Sequence, residues 1–164
     1  MRFSADPKIV LRDPVHFLAF GFGSGLSPKA PGTMGTLVAL PMVYALMHLP
    51  LIAYLCSIVM LCGAGVYICG ESARRLHAHD HPGIVWDEFA GMAITMTAVP
   101  LHFHWLLFGF LLFRFFDIVK PWPIREADHR LSGGVGIMLD DMIAGLFSCV
   151  LLHVVMRIQL PGLT

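Results

Sequence analysis

Charge is what this sequence has least of. Only 13% of its 164 residues are Asp, Glu, Lys or Arg, and eleven basic side chains balance eleven acidic ones. Without a basic excess there is no electrostatic footprint for nucleic acid, and without an acidic run there is no solvated tail. A nucleic-acid partner is therefore not expected. Paired cysteines are also missing. Cys56, Cys62, Cys69 and Cys149 lie in apolar runs, without the short spacing of a zinc site or redox pair. They read as small packing residues. A cleaved leader is not expected either, because Asp6, Pro7 and Lys8 interrupt the start and no apolar core follows a basic one. Period-two strand patterns and internal repeats are absent too, which leaves helices.

What the chain has in quantity is apolar residues, 57% of the total, with a mean hydropathy of +0.74. A soluble domain of this length needs more polar surface, so the pattern predicts a single domain over residues 1–164, an all-α compact bundle with membrane-embedded helices. Residues 1–13 read as loosely ordered or interfacial, and Val15–Phe20 as a stretch lying on the membrane surface. Breakers from Gly21 to Gly35 exclude a continuous helix. Thr33 or Thr36 is then expected to cap a helix running to about His48. Leu51–Cys69, free of charge, is the clearest spanning segment. A polar connector is expected over Glu71–Gly83, followed by helices over about 84–99, 105–119 and 138–157.

The chemistry points to acids in apolar surroundings. Asp87 and Glu88 open one helix, Asp117 closes the next, and Asp140 and Asp141 open the last. Each such group costs about 2.5–3.5 kcal/mol to embed, so it faces a partner or a watery cavity. Helix capping accounts for one acid per helix, not for adjacent pairs. Two carboxylates about 4 Å apart repel by about 4 kcal/mol at an effective dielectric of 20, which a bound cation relieves. Glu88, Gly91 and Thr95 share one helical face, as do Asp141, Gly145 and Ser148, and small residues at that spacing let membrane helices approach closely. All-oxygen ligands favour magnesium, with manganese as its substitute.

Arg114 shares a face with Asp117 at i, i+3, and with Lys120 it reads as a clamp for phosphate. Ser27, Lys29, Thr33 and Thr36 in and after the glycine-rich loop offer a second clamp at a helix start. His77, His79 and His81 around Asp80 read as an exposed polar connector more than as a metal site. Cys69 and Arg75 match the spacing of cysteine phosphatases. The interval Gly70-Glu71-Ser72-Ala73-Arg74, however, carries an acid where an anion should bind.

Four ordered segments resemble the phosphatidylglycerophosphatase A family. They are Gly21–Pro28 running into Ala30–Thr36, Val85–Gly91, Phe113–Ile124, and Gly133–Asp141 with Ala144-Gly145. The resemblance implies a magnesium-dependent phosphatase of the bacterial inner membrane, its site facing the cytoplasm. It would convert a membrane phospholipid, phosphatidylglycerophosphate, to phosphatidylglycerol and inorganic phosphate. On this reading Glu88, Asp117 and Asp141 hold the metal, with Asp87 and Asp140 as further ligands or water activators. Attack by water and attack by an aspartate both stay open, and oligomeric state is not indicated. The rival from another class is a small ion-coupled transporter using the same carboxylates.

Overall fold

The computed structural model describes residues 6–78, 81–122, 124 and 133–159. Seven α-helices and one 3₁₀ turn make up this part, with no strand among the described residues. Two short helices come first, α1 (Pro7–Arg12) and α2 (Pro14–Ala19). Each opens on a proline, whose fixed φ suits a first helical turn, and each is capped by an aspartate. The Asp6 carboxylate accepts from the Lys8 N–H, and that of Asp13 from Val15 and His16. The segment expected to be interfacial is thus helical from Pro7.

Residues Val15–Phe20, expected at the membrane surface, pack one face onto the bundle. Ala19 and Phe20 are fully buried against Ile68, Cys69 and Ala73 of the long helix, and buried His16 shares a 2.8 Å hydrogen bond with buried Ser72. After a 3₁₀ turn at Ser24–Leu26, α3 runs from Pro31 to Leu46. Neither threonine caps it. The helix already starts at Pro31, preceded by Ala30 in the left-handed region (φ 46°). The Thr36 hydroxyl lies inside the helix and donates back to the Gly32 carbonyl at 2.9 Å. The first residue is set by proline geometry, which outranks a hydroxyl cap.

Helix α4 (Leu51–Arg75) continues past Cys69 through residues expected to be a connector. Glu71 pairs with Arg74 and Arg75, one turn on, at 2.8 and 2.7 Å, and such pairs sustain an exposed helical end. Asp13 also receives Arg75, at 2.6 Å, which ties α2 to α4. Helix α5 (Trp86–Thr95) is shorter than expected, because a turn from Met96 precedes Pro100. The backbone carbonyl of Thr97 beyond it accepts from His153 Nε2 at 2.9 Å. Helices α6 (Phe103–Val119) and α7 (Gly133–Gln159) complete the bundle. Helix α7 starts earlier than expected; a Cβ at Gly134 would fall 1.8 Å from the Val66 carbonyl oxygen, so only glycine lets α7 begin against α4.

Helix α5 is the centre, packed by α3, α4, α6 and α7. Helices α4 and α7 are long and apolar enough to cross a bilayer. On α4, Ile52, Val59 and Met60 are each more than 70% exposed, an apolar face that water does not favour and lipid does.

Candidate active site

Two glycines bring the acids together. A Cβ at Gly91 would meet the Asp141 carbonyl at 2.8 Å, and one at Gly145 would meet the Gly91 carbonyl at 2.5 Å. The backbones of α5 and α7 therefore cross almost in contact, along the acid, glycine and hydroxyl stripes anticipated from spacing. Buried Thr95 donates to the Gly91 carbonyl of its own helix at 2.9 Å and reaches the Gly145 carbonyl across the crossing at 3.5 Å.

At this crossing Asp87, Glu88 and Asp141 each offer a carboxylate oxygen, all within 4.8 Å of one another. Glu88 and Asp141 are buried. Burial, then the neighbouring acids, pushes the Asp87 and Glu88 carboxyls above their ordinary values, with Arg114 partly opposing the rise at Glu88. The Asp117 carboxylate lies beside that of Asp141. Arg114 pairs with Asp117 one turn along α6, stands 3.7 Å from Glu88 Oε1, and reaches the Thr36 hydroxyl at 3.5 Å. Asp140, a close neighbour of Asp87 and Asp141, also pairs with Lys120, whose ammonium donates to it at 2.6 Å. Lys120 is placed there by its left-handed backbone (φ 44°) at the C-cap of α6.

The glycine-rich loop contributes differently from expectation. Gly32, not a hydroxyl or ammonium, touches the acids. A Cβ there would lie 2.2 Å from Glu88 Oε1 and 3.2 Å from Arg114 Nη1. Its signal was a glycine directly after a helix-opening proline, a place where no cap requires one. Thr36 does reach the site through Arg114. Ser27 turns back on its own loop, donating to the Lys29 carbonyl at 2.8 Å, and the Lys29 side chain is exposed. Thr33 is half-buried in the first turn of α3. Away from the acids, His81 is buried rather than exposed; its Nδ1 accepts from the Gly83 N–H at 3.0 Å. His79 and Asp80 lie outside the described residues.

A hard divalent cation fits this donor set. The ligand atoms are all carboxylate oxygens, and Glu88 Oε2 and Asp141 Oδ2 are buried without a hydrogen-bond partner among the described residues. Buried carboxylates so placed need a cation or protons.

The family model for phosphatidylglycerophosphatase A matches residues 17–156. Phosphatidylglycerophosphatase A of Escherichia coli (strain K12) is 47% identical over 152 residues, 91% of this chain and 87% of that relative. The protein of the same name from Haemophilus influenzae is 43% identical over 150 residues, 90% of this chain and 92% of its own length. No solved structure matches the chain. The crossing of α5 and α7, with its acids, falls wholly inside the matched region, and the chain belongs to the phosphatidylglycerophosphatase A family.

Proposed function

We propose that this protein is a magnesium-dependent phosphatase that hydrolyses phosphatidylglycerophosphate to phosphatidylglycerol and inorganic phosphate. The observation that carries the reading is the convergence of Asp87, Glu88 and Asp141, with Arg114 held against Glu88 and Asp117. Asp87, Glu88 and Asp141 would hold the ion, with Asp117 beside them. When bound, the ion supplies positive charge that polarises the phosphoryl group and makes an approaching oxygen more nucleophilic. Arg114, braced by Thr36, presents its planar fork to phosphate oxygens. Lys120, anchored on Asp140, adds a second positive group where the terminal phosphate would enter. Helix crowding around α5 keeps bulk water from the acids, which strengthens every charge interaction there. Attack by water and attack by an aspartate both suit this arrangement. Acid quench of a turnover with phosphate-labelled substrate separates them, since a phosphorylated aspartate forms only by the second route.

The inner membrane, with the site facing the cytoplasm, is the proposed location. In support, α3, α5 and α7 start, and α4 and α6 end, at the acid-bearing end of the bundle. Lys8, Arg12, Lys29, Arg74, Arg75 and Lys120 gather there, whereas Arg157 lies at the opposite end of α7. Basic residues of this distribution stay on the cytoplasmic side. No feature of the bundle favours the transporter reading, and the family relationship weighs against it. The test is phosphate release from phosphatidylglycerophosphate by the purified protein, with magnesium and then with chelator. Release with magnesium that stops in chelator is expected; absence of release in both conditions overturns the proposal.

A further inference from the structure

Around the central α5, helices α3, α6, α7 and α4 form a ring. Packing joins α3 to α6, α6 to α7 and α7 to α4, but α3 and α4 barely touch. They are joined by the turn between Leu46 and Leu51 and leave a gap between them. The opening is an apolar cleft of about 300 Å³ lined by Met42 and Leu46 of α3, Ser57, Met60, Leu61 and Ala64 of α4, and Trp86 of α5. Its inner end is fixed. The Trp86 indole N–H donates to the Leu61 carbonyl at 3.2 Å, its ring stacks on Phe89 at 5.5 Å, and Gly65 leaves room for its edge. Trp86 immediately precedes Asp87 and Glu88. The first turn of α5 therefore carries both the head of the groove, at Trp86, and two of the clustered acids. From Ala64 to Ser57 the α4 wall runs about 10 Å along the helix axis.

We infer that this α3–α4 cleft holds one acyl chain of the phospholipid substrate, with the headgroup carried past Trp86 to the acids. The inference rests on the lipid-phosphatase reading and adds to it how the substrate is positioned. Three observations select an acyl chain. The lining is almost entirely apolar, the cleft opens sideways on a helix whose exposed face is apolar, and its Trp86 end is set by the same first turn of α5 that carries Asp87 and Glu88. Lipid tails are as apolar as the groove, so moving a chain into it gains little affinity. What the groove gives is alignment: a chain seated against Trp86 fixes the depth and direction of the phosphate. Poor alignment lowers turnover more than binding.

The test compares a long-chain diacyl phosphatidylglycerophosphate with a water-soluble short-chain analogue on the purified enzyme. Ala64→Trp fills the cleft from an exposed position on α4, so folding is not at issue. Gly63→Trp adds the same side chain one residue away, where nothing lies within 4 Å. The ratio of kcat/KM for long-chain over short-chain substrate is expected to fall by about tenfold in Ala64→Trp, chiefly through kcat. In Gly63→Trp the ratio is expected to stay at the wild-type value. An unchanged ratio in Ala64→Trp, or an equal fall in both variants, overturns the inference while leaving the phosphatase reading intact. Failure of the wild-type enzyme to release phosphate from either substrate overturns the phosphatase reading itself. As an independent readout, a substrate analogue with a photoreactive acyl chain is expected to label Met42 or Met60 above a bulk phospholipid carrying the same group. Equal labelling by both lipids overturns the inference.

Discussion

Gly32 shows how one residue can matter for the site and not for the fold. It occupies the first turn of α3, where alanine is the better helix former by about 0.5–1 kcal/mol. Yet a Cβ there would lie 2.2 Å from Glu88 Oε1. Gly32→Ala is therefore expected to leave the melting temperature equal or slightly higher while phosphate release falls by about a hundredfold, because Glu88 and Arg114 are pushed from their places. Loss of stability in parallel with activity would point to a packing role instead. Asp141→Asn should show the opposite pairing. Removing one charge from the crowded cluster relieves repulsion, so the chelator-treated variant should melt at or above the wild-type temperature. Magnesium should raise the melting temperature of the wild type by ligand linkage and leave the variant nearly unmoved. Equal magnesium stabilisation of both proteins would remove Asp141 from the ion's ligands. The five acids stood out in the sequence because apolar surroundings make them costly. Their partners, with Lys120 on Asp140 and the other acids around Asp141, depend on the rotation of α7 about its axis. Gly32 was hidden for the same reason: its neighbours come from α5 and α6, far along the chain.

At the scale of the element, hydrophobic runs located the helices, and local chemistry moved their ends. Proline at position 31 started α3 ahead of either threonine, and the pairs of Glu71 with Arg74 and Arg75 carried α4 beyond its apolar run. The largest departure was α2, whose short apolar stretch gave no sign that it would dock on α4 through His16 and Ser72. Burial pushes the His16 imidazole below its ordinary value of 6.5, although Asp13 draws it back in part. A histidine whose folded pKa is lowered stabilises the docked state fully above the unfolded value. That contribution is lost as pH falls from 6.5 toward the folded value, since the undocked form takes the proton first. Hydrogen exchange across residues 14–20 should therefore quicken as pH drops from about 7 to 5 beyond its intrinsic dependence, and His16→Phe should abolish the excess. An excess that persists in the variant would assign the effect to another group. Asp13 is the nearest alternative. Burial raises its carboxyl, but the His16 and Val15 N–H groups and Arg75 hold it below the ordinary value, so it titrates at lower pH.

For the whole molecule, composition was enough to indicate a membrane solvent and helices, but not which way the bundle points. In the linear chain the basic residues look scattered. Folding gathers them, because α4 and α6 run toward the acid-bearing end and α3, α5 and α7 start there. The proposed cytoplasmic site draws on the cost of moving basic side chains across a membrane, and it makes a prediction about access. In a background where the four cysteines are replaced by alanine, Lys29→Cys should react with an impermeant thiol reagent in inverted membrane vesicles and not in right-side-out ones. Both Lys29 and its neighbours Pro28 and Ala30 are exposed, so the reagent can reach the thiol. His104→Cys, exposed at the start of α6 and at the opposite end, should react with the reverse preference. Phosphate release by the two variants serves as the check that each is folded. Labelling of Lys29→Cys only from the outer side would invert the bundle and place the acids away from the cytoplasm. Labelling of both positions from one side would mean that the stretch between them, α3 through α5, makes no net crossing of the membrane.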